Sequence, residues 1–337
     1  NHEHGPKNDA LASTSSTARQ RAIGQILMNN AVACAPLHTG YTVYAKLVAV
    51  SCLWGGTFVA GRYLSADVAP LLSASVRFVL ASLTLLLVLS LKGQLVRQVT
   101  ASQALQLVLL GFFGVFAYNV FFFYGLHYIS SSRASLIVAL NPALIALTAF
   151  AFGRERLSRI NVAGIALCII GAMTVIVSKN TVSLTSVVAG AWRGDLLILG
   201  CVMSWVIYSV FARGLVRDIG PLHTVTYSVL AGTLMLLAAA LAQGELSAHA
   251  LAAVNSTQWL SLIYLGVLGS ALAYIWYYDG IQKIGVTQSG VFIALNPLSA
   301  VVLGMLILGE HLSMPMLLGG LLAISGIVLC NRKAKIT

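Results

Sequence analysis

From about residue 44 onward the chain is a series of long apolar runs separated by short polar breaks. The runs at 71–91, 105–126, 134–152, 160–178, 196–212 and 286–308 contain one formal charge among them, Arg77. Each approaches the roughly 20 residues that carry a helix across a bilayer. Helix is the form such runs must take, because lipid offers no partner to an unpaired backbone amide. The pattern predicts spans near 44–64, 70–91, 104–125, 133–152, 158–178, 195–215, 222–242, 257–278, 286–308 and 314–331. The expected fold class is therefore an all-α integral membrane protein of ten transmembrane helices.

The first 43 residues are different in kind, with His2, Glu3, His4 and a Ser/Thr cluster from Ser13 to Thr17. They read as a disordered tail or tag remnant, with the first true span acting as its own insertion signal.

The runs repeat. Moving 155 positions along turns Leu140-Asn141-Pro142 into Leu295-Asn296-Pro297 and Glu155 into Glu310; Gly111, Gly114, Gly125, Gly164 and Gly171 become Gly266, Gly269, Gly280, Gly319 and Gly326. Moving 151 positions turns Trp54, Arg62, Pro70 and Gly93 into Trp205, Arg213, Pro221 and Gly244. Matched Leu and Ala mean little in such a composition, but a shared Asn-Pro and five glycines in one register mark a duplication. The copies fall at 44–179 and 194–332. Five spans per copy is an odd number, so the second copy should enter the membrane inverted relative to the first. Charges agree: the loop with Lys92 and Arg97 is basic, whereas its counterpart around Gly244-Glu245 has no Lys or Arg.

Composition narrows the class further. Hydrophobic residues make up 58% of the 337 and charged residues 9%, against roughly 25% charged in an ordinary soluble domain. The net charge of +11 would suit nucleic acid, but its distribution reports topology instead. With both termini cytoplasmic, the outer side and the spans opening from it keep only Arg62, Arg77, Arg133, Lys179 and Arg193 of the 20 basic residues. That asymmetry is the positive-inside rule. The partners expected are a small-molecule substrate and membrane lipids, with no nucleic acid; nothing sets an oligomeric state. Cys34, Cys52, Cys168, Cys201 and Cys330 show no paired metal spacing, and no cofactor is implied. No carboxylate pair, His-Glu cluster or Gly-x-Ser-x-Gly is present, so an enzyme is not expected.

Leu53-Trp54-Gly55-Gly56-Thr57-Phe58-Val59, the two Asn-Pro pairs, and Gly-x-Glu-x-Leu-Ser at 153–158 beside Gly-Glu-His-Leu-Ser at 309–313 resemble the EamA family of the drug/metabolite transporter superfamily. The resemblance covers about 44–332. It implies a ten-helix carrier of the bacterial inner membrane, often an exporter of amino acids or related metabolites. It also implies a central cavity lined by spans one, three, four, six, eight and nine. Relatives of this fold that handle lipid-linked sugars keep a flippase as the alternative.

Candidate substrate-binding residues follow from what an apolar span cannot easily hide. Pro142 and Pro297 each remove a helix hydrogen bond and free the carbonyl four residues earlier, at Val138 and Ile293. With those carbonyls, Asn141 and Asn296 would make a polar patch near the midplane; a structural kink is the other reading. Tyr118, Asn119 and Tyr274 lie away from span ends, where a buried hydroxyl or amide needs a partner. Trp54, Trp205 and Tyr208 join them on a repeat-related pair of spans. Arg77 is expected to anchor a substrate carboxylate, with snorkelling to the surface as the alternative. Mid-span carboxylates are missing, which favours exchange or uniport over proton coupling, with Asp279 near a span end as the exception. Glu155 and Glu310 read as structural, at helix N-termini.

Overall fold

The computed structural model describes residues 38–64, 67–128, 137–153, 157–179, 191–296, 298–299, 302 and 314–331. The tail at 1–37 with Cys34, and Arg133, Glu155, Pro297 and Glu310, lie outside the described residues. The longer helices among the described residues are α1 (His38–Leu64), α2 (Pro70–Leu91), α3 (101–128), α4 (Asn141–Ala151), α5 (Arg159–Lys179), α6 (Ala191–Ile219), α7 (Pro221–Ala242), α8 (256–284), α9 (286–295) and α10 (Met314–Asn331), with a short helical turn at Ala248–Ala252 between α7 and α8. Among the described residues, five are long and apolar enough to cross a membrane: Pro70–Leu91, Ala101–Gly125, Trp192–Ile219, Pro221–Ala242 and Ser256–Ile284. Shorter apolar helices complete the bundle. Leucines such as Leu83 and Leu87 on α2 and Leu318 and Leu321 on α10 face outward, as a lipid-facing surface requires.

The repeat reaches down to the chemistry of helix ends. Pro70 and Pro221 each stand in the first turn of their helices, α2 and α7, where a missing N–H costs nothing and φ is already set. Both helices end on a glycine at positive φ, Gly93 at 63° and Gly244 at 71°, a conformation that Cβ disfavours. α3 begins with a capping box made by Thr100 and Gln103, and α8 with one made by Asn255 and Gln258, 155 positions on. Both α3 and α8 then widen into a π segment, Phe112–Ala117 and Tyr264–Leu272.

Packing between elements comes in related pairs. Gly111 of α3 lies so close to Ser228 and Gly232 of α7 that a Cβ would not fit, and Gly266 of α8 lies just as close to Arg77 of α2, with Ala81 alongside. Each pair is the other moved along by the repeat. Similarly Gly164 meets Gly326 and Cys330, while Gly171 meets Gly319 and Ala323. As α5 advances, its contacts recede along α10, so these two repeat-equivalent helices run antiparallel. Some residues touch their own equivalents: Trp54 and Trp205, with ring centroids 5.2 Å apart, Ser82 and Thr233, sharing a 3.0 Å hydrogen bond, and Cys168 Sγ with Ala323 O at 3.5 Å. Self-contacts of this kind are what a twofold relation between the two copies would produce.

Two expectations change. The span expected at 133–152 is not one helix over its described part, 137–152: a turn at Ala139 and Leu140 precedes α4, and Pro142 stands in the first turn of a restarted helix. In α9, an α turn (Val286–Gly290) gives way to a 3-10 stretch (Val291–Leu295). The tighter winding lets Asn296 N–H donate to Ile293 O, so the Ile293 carbonyl expected to be free is occupied.

Candidate functional site

The paired tryptophans Trp54 and Trp205 line a small cavity. Its volume is about 60 Å³, room for a few waters at ~10–15 Å³ each. Trp54, Thr57 and Gly61 of α1 form one wall, a helical stripe at spacings of three and four. Tyr118, Phe122 and Phe123 of α3, Trp205 of α6, and Leu265 and Tyr274 of α8 form the others; Val138 precedes α4, which adds Asn141, and Ile293 with Asn296 closes the α9 side. Arg77 brings in α2, a helix outside the six that the resemblance implies.

Seven of the nine candidates therefore converge: Trp54, Arg77, Tyr118, Asn141, Trp205, Tyr274 and Asn296. Two do not line the cavity. Asn119 turns its Nδ2 back onto Val115 O at 2.6 Å within its own helix. Tyr208 is fully buried beneath Gly114 and shares a 2.9 Å hydrogen bond with Ser228. Tyr208 supports the site from behind, with ring centroids 5.7 Å from Trp205 and 6.1 Å from Tyr274. The lining also includes Thr57, Gly61, Phe122, Phe123 and Leu265, which sequence reasoning passed over. Thr57 and Gly61 could have been found by extending the helical face of Trp54; Phe122 and Phe123 were lost among the many aromatics of that span.

The aromatic walls pack against one another. Trp54 meets Trp205 edge-on at 88°, and its Nε1 donates to Gly269 O at 3.0 Å. Gly269 belongs to the π segment of α8, and its lack of a side chain lets Thr57 of α1 come close. Trp205 in turn lies 5.7 Å from Tyr118 and 5.5 Å from Tyr274.

Arg77 points inward. Its Nε donates to Ser270 Oγ at 2.8 Å, and its guanidinium lies 5.1 Å from the centre of the Phe78 ring. Among the described residues no carboxylate pairs with it, and the cavity lining contains no Asp or Glu. Asn141 Oδ1, Asn296 Oδ1 and Trp205 Nε1 are buried without a hydrogen-bond partner among the described residues. Asp279, by contrast, is held by Lys46 at 3.0 Å and Lys283 at 2.9 Å, away from the cavity lining. No group of three potential metal ligands occurs among the described residues.

A sequence model described as the EamA-like transporter family matches residues 42–177 and 192–332. The chain is 28% identical over 288 residues to an uncharacterized transporter, YyaM, of Bacillus subtilis (strain 168), covering 85% of this chain and 92% of the relative. It is 29% identical over 238 residues to a probable terminal-alkyne amino-acid exporter of Streptantibioticus cattleyicolor, covering 71% and 76%. A solved crystal structure superposes with a TM-score of 0.72 at 21% identity, covering 86% of this chain and 96% of that one. At that identity the likeness speaks for the fold alone.

Proposed function

The chain belongs to the EamA-like transporter family, a multi-pass membrane transporter and not an enzyme, and on that premise we propose that it exports amino acids or related metabolites by alternating access. The proposed setting is a bacterial inner membrane, with ten spans in two inverted copies at 44–179 and 194–332 and both termini cytoplasmic. Support comes from the antiparallel pairing of α5 with α10 and from the self-contacts at Trp54, Ser82 and Cys168. Two near-equal inverted halves can exchange conformations, and the exchange swaps which face of the membrane is open.

The observation that carries the substrate reading is Arg77: an inward-facing cation in an aromatic cavity with no carboxylate partner among the described residues. An ionised group inside a membrane protein is costly unless it is paired, and Arg77 has only a hydroxyl and a ring face among the described residues. A substrate carboxylate provides the counter-charge, and the aromatic walls accept an apolar remainder. The relative named a probable terminal-alkyne amino-acid exporter agrees with this reading. At about 60 Å³ the cavity holds only a few waters, so loading a larger substrate requires its walls to part.

Counterflow in proteoliposomes is the test. Vesicles preloaded with unlabelled amino acids should accumulate the labelled compound, and those preloaded with sugars or nucleosides should not. Failure with every amino acid would end the export reading. A second reading, flipping of lipid-linked sugars, draws on one feature: an apolar groove of about 640 Å³ between α1, α9 and α10, lined by residues including Tyr44, Cys52, Phe292 and Ile327. Protection of a labelled lipid headgroup from a membrane-impermeant reagent would favour it.

A further inference from the structure

The hydrogen-bond demands left open around the cavity are of both kinds, and the open acceptors are paired by the repeat. Asn141 and Asn296 are equivalent residues 155 positions apart, both buried, at 3% and 6% exposure, and both in the lining. The Oδ1 of each lacks a donor. A buried acceptor left unpaired costs about 1–3 kcal/mol, and a fold that keeps two of them in equivalent places calls for an explanation.

Capping does not provide one. Asn141 is the first residue of α4, after the N-cap Leu140, and no side chain caps that helix. The residue after Asn141 is Pro142, which has no N–H to offer. Asn296 follows the 3-10 stretch, and its backbone N–H, not its side chain, meets Ile293 O. Asn119, buried in the same bundle but outside the lining, turns its Nδ2 onto Val115 O of its own helix while its Oδ1 also lacks a donor; what sets Asn141 and Asn296 apart is their shared place in the lining.

We infer that Asn141 and Asn296 together receive the ammonium group of the substrate, so that the site selects compounds with a free α-amine over carboxylates that lack one. This rests on the amino-acid reading above and goes further by naming the residues that read the amine. An ammonium has three N–H donors and no acceptor, the complement of two open carbonyl oxygens. The rings of Trp54, Trp205 and Tyr274, all in the lining, supply the aromatic surroundings that attract a cation. Arg77 takes the carboxylate, and Trp205 Nε1, the open donor of the lining, matches that same anionic end. A simple cation would meet Arg77 without a counter-charge, and a simple carboxylate would leave both asparagine oxygens unmet. A zwitterion answers both demands.

The experiment compares matched ligands by thermal shift and by competition in counterflow, using purified protein. The probes are leucine, phenylalanine and threonine, each beside its des-amino carboxylic acid and its N-acetyl derivative. For wild type, the free amino acid of at least one set should bind at least tenfold more tightly than its two partners. N141L and N296L should each weaken that amino acid about tenfold, the loss expected when one hydrogen bond to a charged group disappears, and leave the des-amino acid unchanged. Should leucine at these sites prevent folding, N141S and N296S replace it; the wild-type comparison needs no variant. Equal binding of amino and des-amino compounds, or asparagine variants that weaken both alike, overturns the inference while carboxylate recognition stands. No binding by any probe, with no counterflow, overturns both.

Discussion

Where α5 meets α10, the repeat-related copies touch through glycines: Gly164 and Gly171 on one side, Gly319 and Gly326 on the other, with Cys168 and Ala323 between them. Where α1, α6 and α8 meet, the same relation is filled by large rings, about 60 Å³ of open space and polar atoms without partners. Close backbone approach through small residues is how helices gain contact in lipid, where no hydrophobic force draws them together. Such a seam has no rotamers to change and admits essentially one arrangement. Side chains with several rotamers, around a space not filled, admit more than one. On the proposed alternating-access reading, the comparison separates a joint that must hold from a surface that must open.

The largest effect should come from the glycine seam. In Gly171→Val the new side chain runs into the Ala323 backbone, and overpacking of 1–3 kcal/mol or more should lower the melting temperature by about 5–10 °C. Thermal unfolding in a fixed detergent checks this; an unchanged midpoint would show that the two helices can slide apart freely. Next is Arg77→Gln. Loss of a charged hydrogen-bonding partner, about 1.5–3 kcal/mol, should weaken apparent substrate affinity ten- to a hundredfold in counterflow, with little change in melting temperature. A large stability loss without an affinity change would move Arg77 from the opening surface to the joint.

Trp54→Phe should cost about 1–2 kcal/mol through the lost donation to Gly269 O and a weakened ring pair, seen in both stability and transport. The smallest effect belongs to the on-axis hydrogen bond. Ser82→Ala and Thr233→Ala, singly and together, should give a coupling energy of about 0.5–1 kcal/mol in a double-mutant cycle. Zero coupling would mean that this pair merely lies on the axis without joining the halves.

Much of this was legible beforehand because lipid leaves little freedom. Apolar runs near twenty residues must be helices, and Pro70, Pro221, Gly93 and Gly244 punctuate them where the structure begins and ends α2 and α7. Arg77 and the two asparagines stood out because polar groups are rare in such runs. The fate of Asn119 was not legible. It is adjacent to Tyr118, and one helical step turns a side chain by about 100°, so the face presented depends on the winding before it. That winding passes through the π segment Phe112–Ala117, which no breaker residue announces. Likewise Ile293 O is taken by Asn296 N–H because α9 tightens locally, a choice that counting back from Pro297 misses.

By itself the chain determined its helices, its duplication and the scarce polar residues available for chemistry, since each follows from local hydropathy, caps and identity at a fixed separation. Only the tertiary structure decided which of those residues share a cavity, that α2 contributes to it through Arg77, and that one seam is made of backbone and the other of rings. Those outcomes depend on helix rotation and close approach between segments some 150 residues apart, set by where glycines let backbones touch; a linear pattern contains the glycines but not the partners they meet.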